Sequence, residues 1–454
     1  MLLPVAAALI LVCLSTMLLK TFASRWAQPA AKPTPTARKP RSAATAAAAD
    51  APDQALGVKY VPWEATKQAP AEDLLIVDCT HSSALTITHH KAARNPPKGA
   101  SDCSTGLVLD ALALAAKDPA AAAPWLARRR VSVNHFDADA VLSMWVVINR
   151  QAAPAHAAVL RHAARIGDLR EAGLGSGHLA AEARRWDGVE SEEEVHHALK
   201  LCCWMNTIER TRFSPPYVDK DSDAKHQYFL ERLAAALTPE GIEALRPEWE
   251  EEYAAVLEGW ALLEGGRPAA VQAHPQLGLA VLRPPRPLHY YSLFSHALGA
   301  DTVLTVLPGQ RYEVESRYTQ FVNLWSRPVQ ARLDMAPLAA ALNRLDTGRE
   351  AGTEWASSSM VDTGPILRLD RGGEKLSKAQ RYGHPTDRPH FRSGLPPAAF
   401  EAAVASFLLH GLVGTQPKLG GWSWDEMQEL NQALDWAAWE ATELPAALAK
   451  AGAA

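Results

Sequence analysis

Cysteine is scarce in this chain and is not arranged in a framework. Five cysteines occur in 454 residues, at positions 13, 79, 103, 202 and 203. The adjacent Cys202 and Cys203 are poorly placed to bond to each other, so the sequence indicates no set of disulfides. This pattern favours a reducing compartment for the globular part of the protein.

Several common catalytic and binding motifs are absent as well. The chain has no G-x-x-x-x-G-K-[ST] loop, no G-x-S-x-G elbow, no C-x-x-C pair and no H-E-x-x-H helix. These absences exclude the usual nucleotide-loop, serine hydrolase, zinc-ribbon and zincin interpretations. A net charge of −4 argues against a general nucleic-acid binder. With 48% hydrophobic and 21% charged residues, the composition is that of a globular protein with one large or two medium domains.

The N-terminal residues form an apolar block followed by basic residues. Residues 2–19 are almost wholly apolar and approach the length of a membrane span. Six basic residues follow before the first acidic residue, Asp50. This pattern favours a single-pass anchor in residues 1–22 and a disordered tether in residues 23–55, with the globular part in the cytoplasm. An organellar transit peptide, of the chloroplast type, is the alternative for the same basic stretch.

A strand, a polar turn and a helix are predicted between residues 131 and 147. In an extended backbone, side chains alternate between two sides, so His135, Asp137 and Asp139 are expected to project the same way. One imidazole and two carboxylates form a ligand set that suits a divalent ion. The alternative is that Asp137 or Asp139 only caps the following helix, with His135 as a hydrogen-bonded core residue.

A second polar corner follows the apolar run of residues 74–77. This run is typical of a buried strand, and Asp78 comes directly after it. The alternation of strands and helices predicts parallel pairing, which places the carboxyl ends of the strands at one edge of the sheet. Asp78 is therefore a possible additional ligand.

The stretch around residue 135 resembles the first metal-binding motif of the DHH phosphoesterase superfamily. The resemblance is carried by His135-Phe-Asp137-Ala-Asp139. It implies a centre of divalent ions, Mn²⁺ or Mg²⁺, held by His135, Asp137 and Asp139. A lone acidic residue from the next unit joins such centres, and Asp168 is the candidate, with an exposed turn beside Arg170 as the alternative.

A larger part of the chain, roughly residues 74–397, resembles a domain-of-unknown-function family of plants, algae and bacteria. The segments that carry this resemblance are Asp102-Cys-Ser-Thr105, Asn134-His-Phe-Asp-Ala-Asp139, Ala164-Arg-Ile-Gly-Asp168-Leu-Arg170 and Arg381-Tyr-Gly-His-Pro385. The family brings no established activity to the chain.

A boundary is predicted at the Gly265-Gly266 pair. Residues 56–264 are expected to form an α/β domain with the metal site and a helical connector, and residues 265–454 a mixed α+β lobe. Strands are predicted at 277–282, 302–307 and 312–314. A proline-rich loop of this lobe carries His384, Arg388 and His390, which are candidate substrate-binding residues because basic side chains suit a phosphate. The alternative is that this loop is an exposed connector.

The expected fold is therefore α/β, with a mostly parallel sheet and flanking helices plus a smaller mixed α+β lobe. The expected function is a divalent-metal-dependent phosphoesterase acting on a phosphorylated small molecule. No Asp-His-His follows the first motif, which keeps a second hypothesis open: a non-catalytic, membrane-tethered binding or scaffold protein.

Overall fold

The computed structural model describes residues 57–97, 99–213, 222–267, 269–372 and 384–452. All of them fall within one compact unit, Ala51–Ala454. Among these residues, no helix has the length and apolar character needed to cross a bilayer. The described residues therefore give the predicted single-pass anchor no spanning helix, and we withdraw that prediction. Residues 1–22 and 23–55, on which the anchor, tether and transit-peptide predictions were placed, lie outside the described residues.

The first sheet is small and entirely parallel. Its strands are β1 (Lys59–Tyr60), β2 (Leu74–Val77), β3 (Leu85–Ile87) and β4 (Arg130–Ser132). Their order across the sheet is β1-β4-β2-β3, and each neighbouring pair runs parallel. β2 is buried along its whole length, because helices cover both faces of a parallel sheet.

Helices surround this sheet and extend beyond it. They are α1 (Ser104–Lys117), α2 (Pro119–Leu126), α3 (Ala138–Ile148), α4 (Ala157–Leu169), α5 (His178–Asp187), α6 (Glu192–Arg212), α7 (Ser222–Leu230), α8 (Leu233–Ala236), α9 (Pro239–Ala244) and α10 (Glu250–Gly265). The longest helix, α6, begins with a capping box between Ser191 and Glu194, which satisfies amide groups that a helix start leaves unpaired.

The second sheet is mixed and lies wholly beyond Gly265. Its strands are β5 (Val271–His274), β6 (Leu279–Leu282), β7 (Thr302–Leu307), β8 (Arg311–Ser316), β9 (Thr353–Ser357) and β10 (Ile366–Arg371). Their order is β5-β6-β7-β8-β10-β9, and only the β6–β7 pair is parallel. The remaining helices are α11 (Tyr290–His296), α12 (Ala336–Leu345), α13 (Pro397–Gly411), α14 (Trp424–Ala433), α15 (Trp436–Ala438) and α16 (Leu444–Gly452).

Strand β6 divides two hydrophobic cores. Ala280 and Leu282 belong to the core that also contains β2 and α3, while Leu279 and Val281 belong to the core under α12 and α13. This alternation follows from the two-residue period of a strand. One face of the second sheet therefore packs against the first α/β layer, and the predicted α/β class with a mixed second sheet is confirmed.

Candidate metal centre

The carboxyl ends of β2, β3 and β4 bring polar residues to one edge of the first sheet. Asp78 follows β2, His89 lies two residues after β3, and His135 lies three residues after β4. Because these strands are parallel neighbours, the loops that leave them converge. The result is a buried cluster of carboxylates and imidazoles.

Asp78 lies at the middle of the cluster in an unusual backbone conformation. Its φ of 52° is in the left-handed region, which is uncommon outside glycine and which asparagine and aspartate adopt more readily than other side chains. The backbone N–H of Asp78 donates to Ile87 O at 3.1 Å. The carboxylate then faces two imidazoles, with Oδ1 at 3.4 Å from His89 Nε2 and Oδ2 at 3.3 Å from His135 Nε2. Strain of this kind often accompanies a functional position.

His89 has its ring orientation fixed from behind. Its Nδ1–H donates to the backbone carbonyl of Asp102 at 2.6 Å, so Nε2 points at the carboxylates. Nε2 lies 3.3 Å from Asp168 Oδ2 and 3.9 Å from Asp139 Oδ2. The Asp102 carboxylate is itself held by the Arg165 guanidinium at 2.8 Å. Such support behind a histidine is typical of metal-binding imidazoles.

Asp137 and Asp139 enter the cluster in different ways. Asp137 is the N-cap of α3, where its Oδ1 accepts from Ala140 N at 2.8 Å and its Oδ2 lies 2.9 Å from His135 Nε2. Asp139 lies in the first turn of α3, and its carboxylate accepts from the backbone N–H groups of Ser104 and Thr105 at 2.6 and 2.7 Å. Helix α3 begins at Ala138, so Asp139 is helical rather than extended as the sequence predicted. Both carboxylates nevertheless reach the same cluster.

Asp168 is in the last turn of α4 and is buried rather than exposed in a turn. Its Oδ2 has no hydrogen-bond partner among the described residues. Burial raises the pKa of Asp168 well above its ordinary value, and the negative charges of Asp137, Asp139 and Asp78 raise it further. The carboxylates around Asp168 therefore disfavour its charged form.

The other groups of the cluster respond to the same crowding. Burial and the charge of Asp78 raise the pKa of Asp139 to about 7. Burial alone would lower the pKa of His89, but the hydrogen bond and charge of Asp78 raise it to about 9. Burial would raise the pKa of Asp78, but the imidazoles of His135 and His89, which lie 3.3 and 3.4 Å from its oxygens, hold it well below its ordinary value. Imidazolium protons therefore compensate the carboxylates when no cation does.

Two groups of ligand atoms are each compact enough to hold one ion. The first group is His89, Cys103, Asp139 and Asp168, and the second is Asp78, His135 and Asp137; within each group the ligand atoms lie within 4.8 Å of one another. Asp78 also forms a compact group with His89 and His90, so it connects the first group of ligand atoms to the second.

The chemistry of these atoms fits hard or borderline divalent ions. Oxygen and imidazole nitrogen make up all but one of the donors in the two groups, the exception being the Cys103 sulfur. Each group contains one buried carboxylate oxygen without a hydrogen-bond partner among the described residues, Asp168 Oδ2 in the first and Asp78 Oδ2 in the second. Unpartnered buried oxygens are unfavourable unless a ligand binds them.

The structure brings together every predicted metal ligand: His135, Asp137, Asp139, Asp168 and Asp78. It adds His89 and His90, which the sequence reasoning did not assign to the site. The signal that could have found them is a histidine pair directly after a short segment with strand character, 11 residues beyond Asp78.

The three predicted substrate-binding residues do not line the cavity beside the cluster, although His384 and Arg388 contact two residues that do, Tyr290 and Glu315. Arg388 is buried and its Nη1 lies 3.2 Å from Glu313 Oε2, and His390 Nε2 lies 3.5 Å from Glu313 Oε1. His384 stacks on the ring of Tyr290 and lies 3.6 Å from Glu252 Oε1. None of the three is among the residues that line the cavity. Their role in substrate binding stays a prediction.

Glu252, His289 and His384 also form a compact group of metal-ligand types. His289 Nδ1, however, accepts from the backbone N–H of Tyr291 at 3.0 Å, so its proton is on Nε2. That Nε2–H donates to Glu252 Oε1 at 3.1 Å. The nitrogen that would have to bind an ion carries a proton, and we interpret this group as a hydrogen-bond network.

The fold and the cluster define an α/β protein with a buried carboxylate and histidine centre at the edge of a parallel sheet. The chain belongs to the family of unknown function DUF6687, whose model matches residues 57–419 and therefore includes the whole cluster. This match confirms the predicted family of unknown function. The narrower resemblance to DHH phosphoesterases stays a prediction. Neither the curated proteins nor the solved structures include a match to this chain.

Proposed function

We propose that the protein is a divalent-metal-dependent phosphoesterase with its centre in this cluster. The observation that carries the proposal is a pair of buried carboxylate oxygens, Asp78 Oδ2 and Asp168 Oδ2, one in each ligand group. Neither accepts a hydrogen bond from the described residues, and each faces an imidazole Nε2 at 3.3 Å. Two acceptors in such positions call for two cations, and two-metal sites are a common arrangement in phosphate-ester hydrolysis.

The ligand groups assign a role to each residue. His89, Asp139 and Asp168 would hold one ion, His135 and Asp137 the other, and Asp78 would contact both because its two oxygens face different imidazoles. Mn²⁺ or Mg²⁺ suits this donor set, and such an ion polarises a phosphoryl oxygen and makes nearby water more acidic.

The protein's own contribution is to orient these ligands and to limit access of water. The Asp102 carbonyl fixes the tautomer of His89, and the start of α1 holds Asp139 in place. The cluster opens on one side to a cavity of about 520 Å³, lined by His90, His135, Asp137 and Asp168 among others. A cavity of this size suits a small phosphorylated molecule.

The test uses the full-length protein with Mn²⁺. We expect Mn²⁺ to raise the melting temperature, because a ligand that binds only the native state stabilises it. We also expect Mn²⁺-dependent hydrolysis of p-nitrophenyl phosphate or bis(p-nitrophenyl) phosphate. Asp78→Asn should weaken Mn²⁺ binding by at least about tenfold, the low end of the effect of changes at residues that support metal ligands.

This variant is suited to the question because asparagine tolerates the left-handed backbone of position 78 and keeps an oxygen for the hydrogen bond from Ser104 Oγ. The matched control is Asp301→Asn, another buried aspartate whose pKa burial raises, which lies outside the cluster. Its Mn²⁺ response should equal that of the wild type. Mn²⁺ binding without turnover would favour a non-catalytic binding protein, and a folded protein with neither response would end the proposal.

A further inference from the structure

The cavity beside the cluster is larger than a phosphate group needs. Its volume of about 520 Å³ is in the range of pockets that take organic ligands, about 300–1,000 Å³. Beyond the cluster, its lining residues include Phe136, Arg170, Tyr290, Tyr318 and Phe321. One arginine and several aromatic rings thus face the space next to the carboxylates.

Arg170 is held in place with most of its donors unused. It has a left-handed backbone at the end of α4, with φ 58°. Its guanidinium lies over the rings of Tyr290 and Phe294, at 4.8 and 5.2 Å from their centroids. Its Nη1 donates to Glu315 Oε1 at 2.8 Å, which is its one hydrogen bond to the described residues. A guanidinium has five N–H donors, so the remaining ones can bind an anion.

Arg317 lines the same cavity, but both of its terminal nitrogens already donate to the protein. Its Nη1 donates to Ala297 O and Ala300 O, at 3.2 and 3.0 Å, and its Nη2 donates to Leu169 O at 2.7 Å and to Glu171 Oε1 at 2.8 Å. Of the two arginines among the described lining residues, Arg170 is therefore the one with donors left for a ligand.

An aromatic wall stands next to the ligand groups. The rings of Tyr318 and Phe321 stack with centroids 5.4 Å apart, and both line the cavity. The Tyr318 hydroxyl lies 3.4 Å from the Nε2 atoms of His89 and His90. An inorganic phosphate would leave these rings in contact with water, whereas an organic group would cover them.

We propose that the cavity binds an organic phosphoester, with Arg170 on an anionic oxygen and the Tyr318 and Phe321 rings against the organic part. This inference rests on the proposed function, since cations bound by the cluster would offset the negative charge of its carboxylates and so allow an anion to bind. It names the class of substrate and the residues that select it.

Two phosphonates that the enzyme cannot hydrolyse separate these contributions. Methylphosphonate and phenylphosphonate share the anionic head, and only the second has a ring. Calorimetric titration into the full-length, Mn²⁺-loaded protein should show phenylphosphonate binding about tenfold tighter or more, as expected when an aromatic ring is buried. Equal affinities would overturn the assignment of the aromatic wall without any variant.

Arg170→Met should weaken binding of both phosphonates by about tenfold or more, the effect of losing charge-assisted hydrogen bonds, while their affinity ratio stays the same. Arg170→Lys should be intermediate, because it keeps the charge but not the planar donor fork. Phe321→Ala should reduce the ratio of phenylphosphonate affinity to methylphosphonate affinity and leave methylphosphonate affinity unchanged. Arg283→Met is the control, since Arg283 is a partly buried arginine paired with Glu401 at 2.6 Å and lies outside the cavity.

The outcomes distinguish the two proposals. If wild-type protein shows no Mn²⁺-dependent stabilisation, the proposed function fails and this inference fails with it. If Mn²⁺ stabilises the protein but neither phosphonate binds, or Arg170→Met binds both as tightly as the wild type does, the metal centre stands and the assignment of Arg170 is wrong.

Discussion

Asp168→Asn should affect stability in opposite directions with and without metal. Without metal, the Asp168 carboxylate is buried beside three other carboxylates, and two imidazoles, His89 and His135, oppose them. A carboxyl whose pKa is raised in the folded state binds its proton more tightly there than in the unfolded chain. Its charged form therefore destabilises the fold at every pH above the ordinary value of 3.8. Removing that charge should stabilise the metal-free protein.

The expected magnitudes are small but measurable. Relief of an uncompensated buried charge is worth about 1–3 kcal/mol in free energy of unfolding. With an unfolding entropy of about 2 cal/mol/K per residue over about 400 residues, each kcal/mol shifts the melting temperature by about 1 °C. Mn²⁺ at about 1,000 times its dissociation constant should stabilise the wild type by about 4.1 kcal/mol, or about 5 °C. Asp168→Asn should lose most of this Mn²⁺-dependent increase in melting temperature.

The assay is a thermal melt of wild type and Asp168→Asn, each with excess chelator and with a Mn²⁺ series. The expected pattern is a higher melting temperature for the variant in chelator and a higher one for the wild type in saturating Mn²⁺. If Asp168→Asn melts below the wild type in chelator, Asp168 makes a favourable contact in the metal-free protein. The charge of its carboxylate then does not destabilise the fold.

Two further predictions concern a buried charge and a close helix contact. Burial opposes the shift, but the charges of Arg388 and Arg368 and the hydrogen bond from His390 lower the pKa of Glu313 to about 2. Glu313→Gln should therefore lower the free energy of unfolding, measured by urea denaturation above pH 5, by up to about 3 kcal/mol. This deficit should shrink as the pH falls from 4.5 toward 2. A deficit independent of pH would contradict this prediction. Gly167→Ala would place a Cβ 2.5 Å from Ala138 Cβ, so it should move α4 off α3 and reduce the Mn²⁺ shift, while Gly265→Ala, with open space around it, should not.

Much of the framework could be predicted from local patterns. The buried strand at 74–77 and the strand at 302–307 coincide with β2 and β7, because each is an apolar run bounded by polar or turn residues. Asp78 and the motif at 135–139 could be placed at one sheet edge because parallel strands end together. These inferences need only the periodicity of the chain and the rules of strand pairing.

The rest depends on contacts that no local pattern encodes. β3 has only three residues, in a segment rich in serine and threonine. No strand was predicted there, so His89 could not be placed at the edge of the sheet. The ion pairs of Glu171 with Arg317 and Arg327 join residues about 150 positions apart. Arg388 was expected to face the site, but its charge is used to neutralise Glu313 and Glu315 in the interior. The tertiary structure determines which charged residues pair with each other in the interior, and no local sequence pattern reveals it.

The bond between the Asp139 carboxylate and the start of α1 links that helix to the proposed ion-binding centre. Helix α1 has no side-chain cap of its own, and the amides of Ser104 and Thr105 find their acceptor 34 or 35 residues later in the chain. These two amides therefore gain their acceptor only when α3 packs against α1. The same packing places Asp139 beside His89, so the start of α1 and the proposed ion-binding centre depend on one tertiary contact.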